Sequence, residues 1–314
     1  MDVIAYLVAR ADENRGCTKS TCPVVESVYG YRTYISASRP NLGSVIFFLA
    51  LFTTSGGVYA WQGWKTRTWF FTGAMVIGSL SELMGYVAKL LLWNDPFSDT
   101  GFKMSVVLLT FAPAFYAAGI YYTLKHICLT FGPDFSRLPP ARYTQIFISC
   151  DVFSIVLQAV GGALASVAET MSLLEVGDNI MIAGLATQVF TLVIFGILAA
   201  DYGLSIWRNR AQLNPHTIEL RQSRKFKLFI VALWIAYLGI LIRCIYRVAE
   251  LAGGWVDNPI LRNQYLFIVL DGCAVALAAL VLNVWHPGYC FPRKHQAALT
   301  TSEKFDNGNT MAQV

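Results

Sequence analysis

The sequence predicts an all-α, polytopic membrane protein: a seven-transmembrane-helix bundle with its N-terminus outside and its C-terminus in the cytosol. Three observations predict it. Hydrophobic residues make up 55% of the 314 positions and charged ones only 14%, whereas a soluble domain carries about 25% charged residues. The apolar residues gather into seven runs, each near the ~20 residues that a helix needs to cross the hydrocarbon core. The basic residues between the runs fall in alternate connections.

The runs cover approximately residues 42–61, 69–92, 104–124, 145–167, 180–202, 228–251 and 264–285. Polar or Gly/Pro-containing breaks separate them at Gln62 to Thr68, Asn94 to Gly101, Gly132 to Pro140, Glu169 to Asp178, Trp207 to Arg224 and Gly253 to Asn263. Spans and connections use nearly the whole length, so no separate soluble core is expected. Residues 1–40 are expected to form an extracellular segment, 41–290 the transmembrane domain, and 291–314 a polar, disordered cytosolic tail. Residues 2–9 are too short and too interrupted to be a signal peptide, so the first apolar run is expected to act as an uncleaved insertion signal.

Orientation follows from Lys and Arg in short connections. Lys65 and Arg67 mark the first connection, Lys125, Arg137 and Arg142 the third, and Arg208, Arg210, Arg221, Arg224, Lys225 and Lys227 the fifth. The tail adds Arg293, Lys294 and Lys304. The intervening connections hold Asp95, Asp99, Glu169, Glu175, Asp178 and Asp257. The basic set belongs in the cytosol. The N-terminal segment, with five Arg and Lys of its own, dissents and is outvoted. Trp61, Trp64, Trp69, Trp93, Trp207, Trp255 and Trp285 sit near span ends, where amphipathic rings favour the headgroup zone.

The net charge of +5 is spread over these connections and does not form a nucleic-acid patch. No phosphate loop of the G-x-x-x-x-G-K-[ST] type occurs, and no G-x-S-x-G elbow. His126, His216, His286 and His295 form no metal-binding spacing, and no zinc-type Cys/His pattern appears. The chain is therefore expected to be no enzyme and to hold no cofactor or metal. Cys17 and Cys22 lie together in the polar N-terminal segment, where an oxidising exterior permits a disulfide.

Charged groups at bilayer depth cost about 2.5–3.5 kcal/mol or more, so each needs a reason. Glu82 lies in span 2, Asp151 in span 4, Arg243 in span 6 and Asp271 in span 7, with the amides Gln158 and Gln188 in spans 4 and 5. At about 1.5 Å rise per residue, all but Asp151 fall in one layer roughly 3–6 Å outward of the midplane, and Asp151 falls roughly 7 Å inward. Lys89, Arg247 and Glu250 lie nearer the outer ends and could snorkel. Helical spacing puts Ser79, Glu82, Tyr86 and Lys89 on one stripe, and Asp151, Ser154, Gln158 and Gly161 on another. Gly184, Gln188 and Thr191 form a third, and Gly239, Arg243, Arg247 (or Tyr246) and Glu250 a fourth. Such stripes face the bundle interior. Arg243 needs an anion, and Glu82 and Asp271 are the candidates at its depth. Asp151 has no partner at its own depth. Two readings stay open: an ion-pair clamp that holds helices together, or a polar cavity that binds a headgroup, ion or proton. Pro113 within span 3 removes one backbone hydrogen bond and favours a bend, and the pairs Gly56-Gly57 and Gly161-Gly162 read as close helix packing.

Read together, these motifs resemble the fungal RTA-like family, also called the lipid-translocating exporter family. Span 2 has Glu82, Gly85, Tyr86 and Lys89, similar to E-x-x-G-Y-x-x-R. Span 3 has Ala112-Pro113-Ala114 with Ala118 and Tyr121, span 4 Asp151, Gln158 and Gly161-Gly162, and span 5 Gly184 and Gln188. Span 6 has Arg243, Tyr246, Arg247 and Glu250, and span 7 has Asp271 and ends in His286-Pro287-Gly288. The chain departs from the pattern at Asn263-Gln264, where the family carries Glu, and at Lys89 and Lys125, where it favours Arg. The resemblance covers roughly residues 40–290. It implies export or flipping of amphipathic lipids such as sphingoid long-chain bases, or of lipophilic toxic compounds, and so a role in stress resistance. Membrane lipids and an amphipathic small molecule are the expected partners, and a multi-pass position in the plasma membrane the expected location. A cationic amine could meet Glu82, Asp151 or Asp271. A receptor or stress sensor regulating lipid asymmetry, and a proton or ion conduit, are the competing readings.

Overall fold

The computed structural model describes residues 24–26, 32–33, 36–95, 98–132, 135–167, 170–209, 220, 222–253, 260 and 264–290. Cys17, Cys22 and the tail from residue 291 lie outside the described residues, and so does the expected disulfide.

Seven long helices dominate: α1 (Leu42–Thr66), α2 (Trp69–Asn94), α3 (Asp99–Phe131), α4 (Pro140–Val167), α5 (Met171–Arg208), α6 (Arg224–Ala252) and a segmented α7. In α7, a turn at Gln264–Leu266 leads into a π-helical stretch, Phe267–Cys273, and then Ala274–Val284. A four-residue α8 (Pro287–Cys290) follows. All seven are long and apolar enough to cross a membrane. Ahead of α1, three short strands, β1 (Val24–Glu26), β2 (Arg32–Thr33) and β3 (Ser36–Arg39), pair in the order β1-β3-β2. No strand is expected in this segment from the sequence.

The helices outrun the apolar runs because backbone pairing continues past the hydrocarbon edge. The break expected from Glu169 to Asp178 is shorter than the sequence suggests: Leu173 to Asp178 are already inside α5. Thr170 caps it, its side chain accepting from the Leu173 N–H. With 38 residues, α5 is about 57 Å long against a core of about 30 Å, so it tilts or projects. Asn41, Ser98 and Ser223 cap α1, α3 and α6 in the same way. Between α1 and α2, Arg67 takes a left-handed backbone (φ 58°) and donates to the Gly63 carbonyl, which reverses the chain within two residues.

Each helix packs on its sequence neighbours, and α7 returns to α1, closing the ring; α3 also meets α6 and is the most buried helix. Gly161 and Gly177 bring the backbones of α4 and α5 together: a Cβ on Gly161 would lie 2.5 Å from the Met181 nitrogen, and one on Gly177 2.6 Å from the Ala165 nitrogen. Gly56 abuts Ser79, but Gly57 and Gly162 have room, so only one glycine of each pair marks a tight crossing. Helices α1 and α7 are tied by the Tyr59 hydroxyl donating to the Ala279 carbonyl (2.7 Å) and Gln62 Nε2 to the Asn283 carbonyl (2.9 Å). Asn283 Nδ2 in turn donates to Ser55 Oγ at 2.6 Å. From the connection between α3 and α4, Arg137 forks onto Asp201 of α5 at 2.7 and 2.9 Å, which raises the Arg137 pKa.

Candidate functional site

The charged residues of α2, α6 and α7 converge. Gly239, one turn before Arg243, lets α6 approach the Ala274 carbonyl of α7, where a Cβ would sit at 2.8 Å. The π-helical stretch carries Asp271 toward α6. Asp271 Oδ1 lies 3.0 Å from Arg243 Nε and 3.1 Å from Arg247 Nε. Arg247 Nη1 reaches Glu250 Oε2 at 2.8 Å, and the Tyr246 hydroxyl donates to Glu250 Oε1 at 3.2 Å. Lys89 Nζ stands 3.4 Å from the centre of the Phe267 ring, a cation–π contact inside the bundle. Glu82 lies within electrostatic reach of Arg243, Asp271, Arg247 and Lys89. All of these side chains are buried.

Arg243 also donates to the Leu109 carbonyl of α3. That carbonyl is four residues before Pro113, which has no N–H to give it. The guanidinium therefore replaces the missing helical donor. Gly85 on α2 makes room for the Leu109 side chain, so the carbonyl and its residue are both held.

Three cations (Lys89, Arg243, Arg247) lie among three acids (Glu82, Glu250, Asp271), and the formal charges cancel; the ion pairs join Arg243, Arg247, Glu250 and Asp271, and Glu82 makes none among the described residues. Desolvating such groups is repaid only by close mutual pairing. The expectation that Lys89, Arg247 and Glu250 snorkel is therefore corrected: each is 1% exposed and turned inward, because partners inside the bundle are nearer than the interface. The Glu that the chain lacks near Asn263-Gln264 is not needed for a network, since Asp271 serves both arginines. Gln158 and Gln188 pair with each other across α4 and α5, Nε2 to Oε1 at 3.2 Å.

Asp151 stands apart. It is 3% exposed, and neither carboxylate oxygen has a hydrogen-bond partner among the described residues. The Tyr121 hydroxyl of α3 approaches it closely enough to interact but falls short of hydrogen-bond geometry. Cys244 of α6 is another polar neighbour. No cation accompanies it in an ion pair among the described residues. Tyr121 rests on Phe195 and Phe147, with ring centres 4.5 and 5.5 Å away.

Tyr86, singled out on the span-2 stripe, stacks on Phe48 and Phe52, and its hydroxyl reaches the space beside Gly272. Sequence reasoning missed the Leu109 carbonyl, the Phe267 ring and the Ser79–Tyr116 hydroxyl pair (2.9 Å). Pro113 was the signal for the first, since it names the carbonyl it leaves free. His286, read as a span-end residue, is fully buried against Phe71.

The model of the family described as "RTA1 like protein" matches residues 75–294. The chain belongs to that family. The matched segment runs from within α2 past α7 and holds every member of the ion-pair cluster and Asp151. Among curated relatives, the "Sphingoid long-chain base transporter RSB1" of Saccharomyces cerevisiae (strain Lalvin EC1118 / Prise de mousse) is 30% identical over 300 residues, covering 87% of this chain and 78% of that one. The "Probable lipid transporter atnI" of Emericella nidulans is 26% identical over 263 residues, covering 81% and 66%. "Protein RTM1" of Saccharomyces cerevisiae is 28% identical over 211 residues, covering 67% and 65%. No solved structure matches the chain.

Proposed function

We propose that this RTA1-like protein translocates amphipathic lipids with a cationic head, sphingoid long-chain bases among them, and that Asp151 receives the amine. The observation that carries the reading is the contrast between the two sets of buried charges. The ion pairs around Asp271 bind Arg243, Arg247 and Glu250 to one another and work as a clamp, with Glu82 in the field of the same cations. Asp151 is a buried acid without a counter-charge, and an ionisable group in that situation marks a substrate or proton pathway by default. An ammonium head supplies the missing charge, while its alkyl chain stays among apolar side chains or lipid. The printed names of the first two relatives support lipid transport as the function class.

Membrane orientation follows the basic connections, with the N-terminus outside and the C-terminus cytosolic; a place in the plasma membrane is part of the same proposal and rests on the family resemblance alone. Residues 41–290 form the transporting domain, flanked by an extracellular segment and a cytosolic tail.

The test is transbilayer movement of a labelled sphingoid base in liposomes that contain only the purified protein. Movement by the parent chain, abolished in Asp151→Asn at equal incorporation, is the expected result. Saturable binding without movement would make the protein a receptor instead. Unchanged movement in Asp151→Asn would remove Asp151 from the pathway.

A further inference from the structure

A second site lies on the far side of the Tyr121–Phe195 contact from Asp151. A cavity of about 740 Å³ opens among the C-terminal half of α3, the C-terminal half of α5 and the N-terminal half of α6. Its inner end is Ile120, Phe195 and Tyr237, and its outer end is Phe131, Trp207 and Lys227. Ten to twelve helical residues separate the two ends on each helix, so the slot is about 15–18 Å deep. That is about half of a 30 Å hydrocarbon core, the depth of one leaflet.

The lining is suited to hydrocarbon. The tyrosine hydroxyls in the wall are already spent: Tyr202 donates to the Cys128 and Gly132 carbonyls, and Tyr237 to the Leu192 carbonyl. Gly203, Trp207 and Trp234 line the slot and are exposed, so it opens sideways between α5 and α6. Its charged lining residue is Lys227, at the end where Arg208, Arg224 and Lys225 also lie.

We propose that this slot is a binding site for a phospholipid with an anionic headgroup, one acyl chain in the cavity and the headgroup on Lys227. Charge complementarity decides the occupant. A chain seated at this depth places its head at the basic end, where each Lys or Arg favours an anionic head. A sphingoid base in the same pose would set its ammonium against Lys227. The inner end of the slot, at Phe195, packs on Tyr121, the neighbour of Asp151, so the two sites adjoin and are told apart by the charge of the head that each accepts.

Two variants isolate the two halves of the claim. Gly203→Phe fills the slot without strain, because a Cβ there meets no atom within 4 Å. Lys227→Glu reverses the head contact. Gly57→Phe on α1 is the control, equally open but outside the slot. The full chain, purified and stripped of lipid, is titrated with phosphatidylserine and with phosphatidylcholine of the same chains and read by native mass spectrometry. A preference for phosphatidylserine of about fivefold is expected. It should vanish in Lys227→Glu, and both lipids should be lost in Gly203→Phe but not in Gly57→Phe. Equal retention of both lipids by the parent chain overturns the headgroup assignment. Undiminished binding in Gly203→Phe overturns the location, and displacement of the lipid by a long-chain amine overturns the headgroup assignment and joins the slot to the Asp151 pathway.

Discussion

Pro113 and Arg243 are linked through one acceptor: the Leu109 carbonyl that Pro113 cannot reach with an N–H is taken by the Arg243 guanidinium. Arg243 is simultaneously paired with Asp271, so one side chain joins the turn before Pro113 in α3 to α6 and α7. The carbonyl that Pro113 leaves free is thus occupied by a buried charge-assisted donor.

Pro113→Ala should therefore be close to neutral alone. It relieves a helix-interior proline, worth up to about 3 kcal/mol, but its new N–H competes with a charged hydrogen bond worth about 1.5–3 kcal/mol. Combined with Arg243→Gln it should be non-additive by about 1 kcal/mol or more, since both changes act on the same carbonyl. Thermal unfolding of the four proteins in detergent measures the coupling. Strict additivity would disprove the shared acceptor.

Asp271→Asn and Asp151→Asn should separate stability from function. The first leaves Arg243 and Arg247 buried with one acid fewer and should cost about 3–5 kcal/mol. Replacing Arg243 and Asp271 together by Met and Leu should recover much of that loss. The second neutralises an acid that has no partner to lose, so its melting temperature should not fall while transport disappears. A drop in Asp151→Asn comparable to that in Asp271→Asn would show that Asp151 is part of the clamp.

The Phe267 ring beneath Lys89 should matter by its π-face and not by its volume alone. A desolvated cation–π contact contributes about 2 kcal/mol. Phe267→Leu should lower the unfolding midpoint clearly, and Phe267→Trp should keep most of it. Equal losses in the two variants would assign the effect to packing.

The sequence made the seven helices legible because each needs only length and apolar content. It made the acids and arginines legible as candidates because charge inside an apolar run is rare. The partnerships were harder. Helical spacing treats α7 as regular, but the π-helical stretch Phe267–Cys273 shifts its register, and Asp271 gains both arginines as a result. Depth along a span placed Gln158 and Gln188 in the same layer as Arg243, yet depth carries no azimuth, and the two amides face each other. Snorkelling was the wrong expectation for Lys89 because the Phe267 ring, which carries no charge, is invisible to charge counting. The α3–α5–α6 slot had no signal, since a cavity is made by side chains that stop short of one another.

The crossing of α4 on α5 should be the least forgiving packing in the bundle. Gly177 faces the Ala165 nitrogen and the Gly161 carbonyl, where a Cβ would sit at 2.6 and 2.8 Å. Both are backbone atoms, so no rotamer change can make room. Gly177→Val should push the helices apart and separate the Gln158–Gln188 pair, which lies along the same crossing. Overpacking costs about 1–3 kcal/mol even where side chains can yield, and here more is expected. Gly57→Val, which adds the same atoms where there is room, should leave the midpoint within about 1 kcal/mol of the parent. Monodispersity on size-exclusion chromatography and thermal unfolding report both outcomes. A Gly177→Val protein as stable as Gly57→Val would mean that α4 and α5 do not cross in backbone contact.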